Sequence, residues 1–185
     1  MPRSVHPGAL DAARVGEGWA LERVYSVLGR PVLGYLAAQG ASDPEGALNE
    51  VFLRALRRLD RFHGDSEQLR SWVFAIAHNL VVDERRTTAR RPPAIPLDGV
   101  VDRAGGDAED DALDRLGDGR IRATLDLLAP DQRDVVLLRF VADLSLAEVA
   151  DVTGRTVGAT KALQRRALES LRRRLGDLLP AGVSR

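Results

Sequence analysis

The stretch that decides the fold runs from Ser145 to Leu175 and reads SLAEVADVTGRTVGATKALQRRALESLRRRL. Ser145 is followed three residues later by Glu148, which is the pattern of a capping box at the start of a helix. Gly154 is expected to end that short helix, and a longer helix is expected to begin at Thr156. A short capped helix, a glycine turn and a longer helix make up a helix-turn-helix.

The longer helix is strongly basic. Residues 155–174 hold seven basic side chains and one acidic side chain, a net charge of +6. An apolar stripe recurs every four residues along the same helix, at Leu163, Ala167, Leu171 and Leu175. The basic side chains of its second half fall on the flank and back of that stripe, and a basic face beside such a turn favours DNA binding. A corner of an ordinary helical bundle has the same helix–glycine–helix pattern, so both interpretations remain open on this stretch alone.

The rest of the chain predicts an all-α protein with two small helical domains. Apolar residues recur at helical spacing in residues 16–91 and again in 120–178, without convincing strand alternation. Between them, residues 92–119 read PPAIPLDGVVDRAGGDAEDDALDRLGDG, which predicts a flexible acidic linker. Its 28 residues could extend to roughly 90 Å at about 3.3 Å per residue. Residues 1–15 and 179–185 are expected to be terminal tails.

Residues that commonly start or interrupt helices suggest where the helices of the first domain begin and end. Gly29 and Pro31 predict that the first helix bends or restarts. Ser42 or Asp43 is expected to start a second helix, with Pro44 in its first turn, and Asp65 with Gln68 predicts the capped start of a third.

The distribution of charge along the chain matches the division into two domains and a linker. The 185 residues carry 27 basic and 27 acidic side chains, a formal charge of zero, which by itself argues against a nucleic-acid-binding protein. Counted along the sequence, residues 1–91 have a net charge of +2, residues 92–119 of −6 and residues 120–185 of +4. The neutrality therefore comes from two basic blocks around an acidic middle.

The composition also disfavours several classes of protein. With 44% hydrophobic and 29% charged residues, the chain has the composition of a soluble globular protein. The absence of cysteine excludes disulfide scaffolds, cysteine nucleophiles and Cys-containing zinc clusters. No histidine pair has a helical metal-ligand spacing, and there is no Gly-rich phosphate loop or nucleophile–base pair, so no metal, cofactor or catalytic residue is predicted. The longest apolar stretch, 72–77, is far too short to cross a bilayer, and the N-terminus has no export signal, which predicts a cytoplasmic protein without membrane insertion.

Two separate stretches resemble the two domains of extracytoplasmic-function (ECF) sigma factors, the compact group of the sigma-70 family. Residues 43–86, DPEGALNEVFLRALRRLDRFHGDSEQLRSWVFAIAHNLVVDERR, are similar to sigma region 2. Residues 127–175, LLAPDQRDVVLLRFVADLSLAEVADVTGRTVGATKALQRRALESLRRRL, are similar to sigma region 4. The resemblance implies an alternative sigma factor, which is not itself an enzyme. Its implied partners are promoter DNA, the β′ clamp and β flap of bacterial core RNA polymerase, and an anti-sigma factor.

The resemblance also implies three sets of site residues. One face of the second helix would bind the β′ clamp through Asn49, Glu50, Leu53, Arg54 and Arg57. The minus-ten element, read as a single strand, would contact His63, Gly64, Asp65, Ser66, His78, Asn79 and Arg86. The minus-thirty-five element, read as duplex, would contact Arg155, Thr156, Lys161, Arg165 and Arg166. Trp72 and Phe74 are expected to belong to the core rather than to stack on bases.

The alternative is a helix-turn-helix regulator that binds duplex DNA independently of core polymerase. It accounts for residues 145–174 but leaves residues 43–86 without a role. Copurification with core polymerase distinguishes the two interpretations.

Overall fold

The helical domains predicted from the sequence are present in the computed structural model, which describes residues 5–90 and 122–178. The expected linker, 92–119, and the expected tail, 179–185, lie outside the described residues. The eight described α-helices are α1 (Pro7–Arg14), α2 (Gly18–Ala38), α3 (Pro44–Leu56), α4 (Ser66–Arg90), α5 (122–126), α6 (Pro130–Phe140), α7 (Leu146–Thr153) and α8 (Val157–Leu178), and a short 3-10 helix spans Leu59–Arg61. None of these helices is long and apolar enough to cross a membrane.

The predicted helix starts of the first domain are confirmed by their hydrogen bonds. A carboxylate oxygen of Asp43 accepts from the backbone N–H of Gly46 at 2.9 Å, and Pro44 is the first residue of α3. Asp65 accepts from the backbone N–H of Gln68 at 2.8 Å, while the Gln68 side chain accepts from the N–H of Asp65 at 3.0 Å. These reciprocal bonds fix where the loop before α4 ends.

Of the bend or restart expected at Gly29 and Pro31, the restart does not occur, because helix α2 continues through both residues for 21 residues in all. A proline inside a helix removes one backbone hydrogen bond. Apolar side chains are nevertheless buried on both sides of it, with Val27 and Leu28 before Pro31 and Val32 and Leu36 after it. Burial of this continuous face holds the two halves in one helix.

The N-terminal residues that we expected to form a tail contain helix α1. The ring nitrogen Nδ1 of His6 accepts from the N–H of Gly8 at 3.2 Å and caps the helix. Ala9, Leu10 and Ala13 of α1 are buried, and the helix packs chiefly on α2. Residues 5–14 are therefore part of the first domain.

The two domains share one hydrophobic core in this structure. Tyr35 and Phe74 are fully buried, and their rings meet edge to face with centroids 5.6 Å apart. The same continuous cluster includes Val135 of α6 and Ala167 of α8. Helix α7 packs along α4, where the Nε–H of Arg70 donates to the Ala142 carbonyl at 2.5 Å.

A polar network lies where the domains meet, buried except for its half-exposed arginine, and we call it the interdomain network. Its members are Tyr35, Gln39, His78 and Arg85 from the first domain and Asp134 from the second. Asp134 accepts from Arg85 Nη1 at 3.0 Å and from Gln39 Nε2 at 2.9 Å. A buried carboxylate is tolerated only when it is paired in this way, so these bonds fix how α2, α4 and α6 meet.

Replacing Asp134 by alanine should destabilise the chain by about 2–3 kcal/mol, because Arg85 and Gln39 then lose their shared acceptor inside a buried joint. Asp131 on the same helix offers a matched control, since it pairs with Arg155 at 2.9 Å but is 55% exposed. Asp131→Ala should cost no more than about 1 kcal/mol. Denaturant unfolding of both variants measures the difference, and equal losses would contradict the assignment of the joint to Asp134.

Candidate nucleic-acid interface

The helix-turn-helix is built by the caps that the sequence predicted. The Ser145 hydroxyl accepts from the N–H of Glu148 at 3.2 Å, and the Glu148 carboxylate accepts from the N–H of Ser145 at 2.7 Å. Gly154 ends α7 in the left-handed conformation at φ 64°, which glycine adopts without steric cost. The Thr156 hydroxyl then accepts from the N–H of Ala159 at 3.2 Å and caps α8.

Helix α8 separates a buried side from a basic side. Ala167 and Thr160 are fully buried, whereas Lys161, Arg165 and Arg166 are exposed. Lys161 and Arg165 lie one helical turn apart and line a single groove beside α7. The structure thus brings these three predicted cations onto the solvent side of the second helix.

Two other residues predicted to read duplex DNA also have structural contacts. Arg155 forms an ion pair with Asp131 of α6, with Nη2 and Oδ1 2.9 Å apart. The Thr156 hydroxyl is the cap of α8. Both residues are still exposed at the start of the helix, where a recognition helix presents side chains to base edges.

The loop from Phe62 to Asp65 is tightly packed, although its His63 side chain is exposed. A Cβ added to Gly64 would lie 2.5 Å from Phe62 Cζ and 2.9 Å from Gln68 Oε1, so a larger residue would have to displace these side chains. Asp65 is exposed and Ser66 half-buried. The four residues His63, Gly64, Asp65 and Ser66 therefore form one short, braced segment at the start of α4.

The residues predicted further along α4 do not share one face. Asn79 and Arg86 are exposed, but His78 is only 6% exposed and its Nδ1 lies 3.1 Å from the Tyr35 hydroxyl. His78 follows Phe74 by one helical turn, so it falls on the buried face of α4. In this structure the His78 ring belongs to the interdomain network and is not available to DNA.

The surroundings of His78 favour the neutral form of its ring. The Tyr35 oxygen already accepts a hydrogen bond from Gln39 Nε2 at 2.9 Å, so its own proton is free to be donated to His78 Nδ1. That nitrogen can accept only in a neutral imidazole. Burial lowers the pKa of His78, and the Arg85 charge lowers it further, against an opposing effect of Asp134.

The predicted polymerase-binding face of α3 is on the surface. Asn49, Leu53 and Arg57 are exposed, and Leu53 keeps 48% of its accessible surface. Glu50 and Arg54 form an ion pair across one helical turn at 2.6 Å. An exposed leucine between paired charges is a suitable surface for another helix.

Sequence reasoning missed the residues that connect distant parts of the chain. The sequence did contain a sign that Asp134 would be buried, because this acidic residue comes directly before the apolar run Val135–Leu138 of α6, which is buried. No feature of the sequence indicated that the guanidinium of Arg14 would bind the backbone of the loop before α4. Within residues 5–90 and 122–178, no group of His, Asp or Glu side chains is arranged to hold a metal ion.

Comparison with known families identifies both halves of the chain. The description "Sigma-70 region 2" matches residues 21–91, and "Sigma-70, region 4" matches residues 124–173. The two matches therefore cover both described domains and most of the residues discussed above.

Similar proteins are found along nearly the whole chain. The ECF RNA polymerase sigma factor BldN of Streptomyces coelicolor is 34% identical over 91% of this chain, which spans 65% of the length of BldN. The ECF RNA polymerase sigma factor SigC of Mycobacterium tuberculosis is 33% identical, with 88% of this chain and 86% of SigC aligned.

Solved structures show the same fold. CnrH, in a complex with the cytosolic domain of CnrY, is 24% identical with a TM-score of 0.70 and covers 92% of this chain and 97% of its own. RpoE from Bartonella quintana, crystallised with the anti-sigma factor NepR, is 16% identical with a TM-score of 0.62, covering 84% and 96%.

The buried His78 predicts a pH-dependent stability. Its folded pKa is lowered, so below about pH 6.5 the unfolded chain binds a proton that the folded chain does not. The free energy of unfolding should therefore fall as the pH drops from 7 towards 5. Urea unfolding at several pH values should show a smaller fall for His78→Gln than for the wild type. Equal slopes for wild type and His78→Gln would contradict this account.

Proposed function

Because this chain belongs to the ECF group of the sigma-70 family, we propose that it is an alternative sigma factor that directs bacterial core RNA polymerase to specific promoters. The observation that carries the proposal is the joint presence of a capped basic helix-turn-helix and a second helical domain with a braced loop. The chain itself would not be an enzyme, since the polymerase performs the chemistry. It would act where the polymerase acts, in the cytoplasm.

The minus-thirty-five element would be read by α8. The exposed side chains of Lys161 and Arg165 line one groove, and arginine and lysine can donate to guanine in the major groove. Arg155, Thr156 and Arg166 would complete the contact near the start and flank of the helix. Arg172, Arg173 and Arg174, exposed further along, would pair with phosphates or with the β flap.

The minus-ten element would be read as unpaired bases by the loop before α4. Unpaired bases expose polar edges that a duplex hides. The short segment His63–Ser66 offers an imidazole, backbone groups and a carboxylate on a rigid support. Asn79 would supply an amide to a base edge, and Arg86 would pair with the backbone.

The α3 face would bind the β′ clamp of core polymerase. Leu53 contributes exposed apolar surface, and Asn49 and Arg57 flank it with polar groups. The Glu50–Arg54 pair holds its two side chains in place along the helix. An amphipathic patch of this kind suits docking to a coiled coil.

Reading both elements requires the two domains to move apart. Elements named for positions ten and thirty-five lie about 25 base pairs apart, which is about 85 Å of duplex at about 3.4 Å per base pair. Here α7 packs along α4, so the described arrangement is too short for that span. Opening would also break the bonds from Arg85 and Gln39 to Asp134, beside His78.

An anti-sigma factor is the third proposed partner. RpoE of Bartonella quintana was solved with the anti-sigma factor NepR, and CnrH with the cytosolic domain of CnrY. We expect a partner of the same kind for this chain.

Transcription in vitro tests the proposal. Core polymerase with this chain, supplied with genomic DNA, should start transcripts at a small set of sites that core polymerase alone does not use. Arg165→Ala should lower initiation at those sites about tenfold and relax the preference at one minus-thirty-five position, since a good base contact contributes about 1–3 kcal/mol. Arg172→Ala on the same helix is the control and should weaken initiation evenly across sequences.

Two results would contradict the proposal. Binding to duplex DNA without any core-dependent initiation would favour the helix-turn-helix regulator instead. An Arg165→Ala variant with unchanged promoter preference would remove that residue from the reading set.

A further inference from the structure

The side chain of Arg14 joins helix α1 to the loop before α4. Its Nε–H donates to the Phe62 carbonyl at 3.0 Å, and its Nη2 donates to the Gly64 carbonyl. The guanidinium carbon also lies 5.7 Å from the centre of the Phe62 ring. Arg14 therefore holds the carbonyls on either side of His63.

The position of Arg14 is itself fixed. Its Nη1 pairs with Asp11, one turn earlier on α1, at 2.8 Å. The side chain of Arg14 is only 26% exposed, and Ala13 beside it is buried against the core. A planar guanidinium held on several sides imposes its geometry on the groups that it binds.

The rest of the loop has little freedom. The Phe62 ring packs against Trp72, with centroids 4.9 Å apart. At the other end Asp65 is fastened to Gln68 by their reciprocal bonds. The contacts of Phe62 and Asp65 do not hold the backbone around His63 and Gly64. Arg14 holds this part of the loop through its bonds to the carbonyls of Phe62 and Gly64.

The loop and α1 face each other across an open groove of about 800 Å³. Arg14, Arg23 and His6 line this groove together with residues 63–67. Ser66 lines this groove, and its buried hydroxyl oxygen has no hydrogen-bond partner among the described residues. The groove thus adjoins the segment assigned above to the minus-ten strand.

We propose that Arg14 is a positioning residue for promoter reading, which fixes the backbone of residues 62–64 so that His63–Ser66 meet the minus-ten strand in one shape. The inference rests on the proposed function. It makes the N-terminal helix part of the apparatus that sets minus-ten preference, although Arg14 itself need not touch DNA.

The test is initiation by core polymerase and the full chain on two promoter libraries, one randomised in the minus-ten element and one in the minus-thirty-five element. Arg14→Ala should reduce discrimination among minus-ten bases about tenfold, the size of effect expected when a charged hydrogen bond is lost. Preferences in the minus-thirty-five library should be unchanged. Arg14→Lys, which can still donate to one carbonyl, should recover part of the discrimination.

Arg23→Ala is the matched control, because Arg23 lies on the same groove and is exposed. It should keep wild-type preferences in both libraries. Wild-type preferences with Arg14→Ala would overturn the inference. So would equal losses in both libraries, or loss of folding in both Arg14 variants, because each result indicates a purely structural residue. If the wild-type chain supports no core-dependent initiation, the proposed function itself fails. Failure of the Arg14 inference alone is recognised by a wild-type chain that initiates normally.

Discussion

The carboxylate of Asp134 is buried at the joint between the two domains, and the described structure depends on how that charge is satisfied. A charge removed from water is costly unless it is paired and hydrogen-bonded. Arg85 and Gln39 supply those bonds from two different helices of the first domain. Tyr35 and His78 extend the network into the core. The register of α2, α4 and α6 is therefore set by polar groups, while apolar burial around them supplies most of the driving force.

This joint divides the proposed reading residues into two groups. Those of α8, such as Lys161 and Arg165, are exposed while the domains are packed together. His78, in contrast, is buried in this arrangement and bonded to Tyr35. A closed chain would thus present its duplex-reading helix but not its whole single-strand surface. The overall charge of zero would keep non-specific attraction to DNA weak, which favours promoter binding as a complex with the polymerase.

Local signals made much of the fold predictable. The caps at Asp65 and Ser145 and the left-handed Gly154 depend on residues within a few positions of each other, and the structure has each of them. Contacts between distant residues carried no such signal: Arg14 binds a carbonyl 48 residues away, and Gln39 binds Asp134 95 residues away. Distant contacts explain two differences from the sequence predictions. Residues 7–14, expected in a tail, form a helix packed on the first domain, and His78, expected at the DNA, is buried. Periodicity could place His78 on a face of α4, but it could not say which partner covers that face.

A measurement of the distance between the domains in solution tests this account most directly. The chain has no cysteine, so Ser26→Cys and Ala147→Cys, at exposed positions of α2 and α7, can carry spin labels without background. Pulsed electron resonance should give one narrow distance distribution for the free chain and a longer distance in the complex with core polymerase and promoter. An unchanged distribution in a complex that initiates transcription would contradict the claim that reading both elements requires the joint to open.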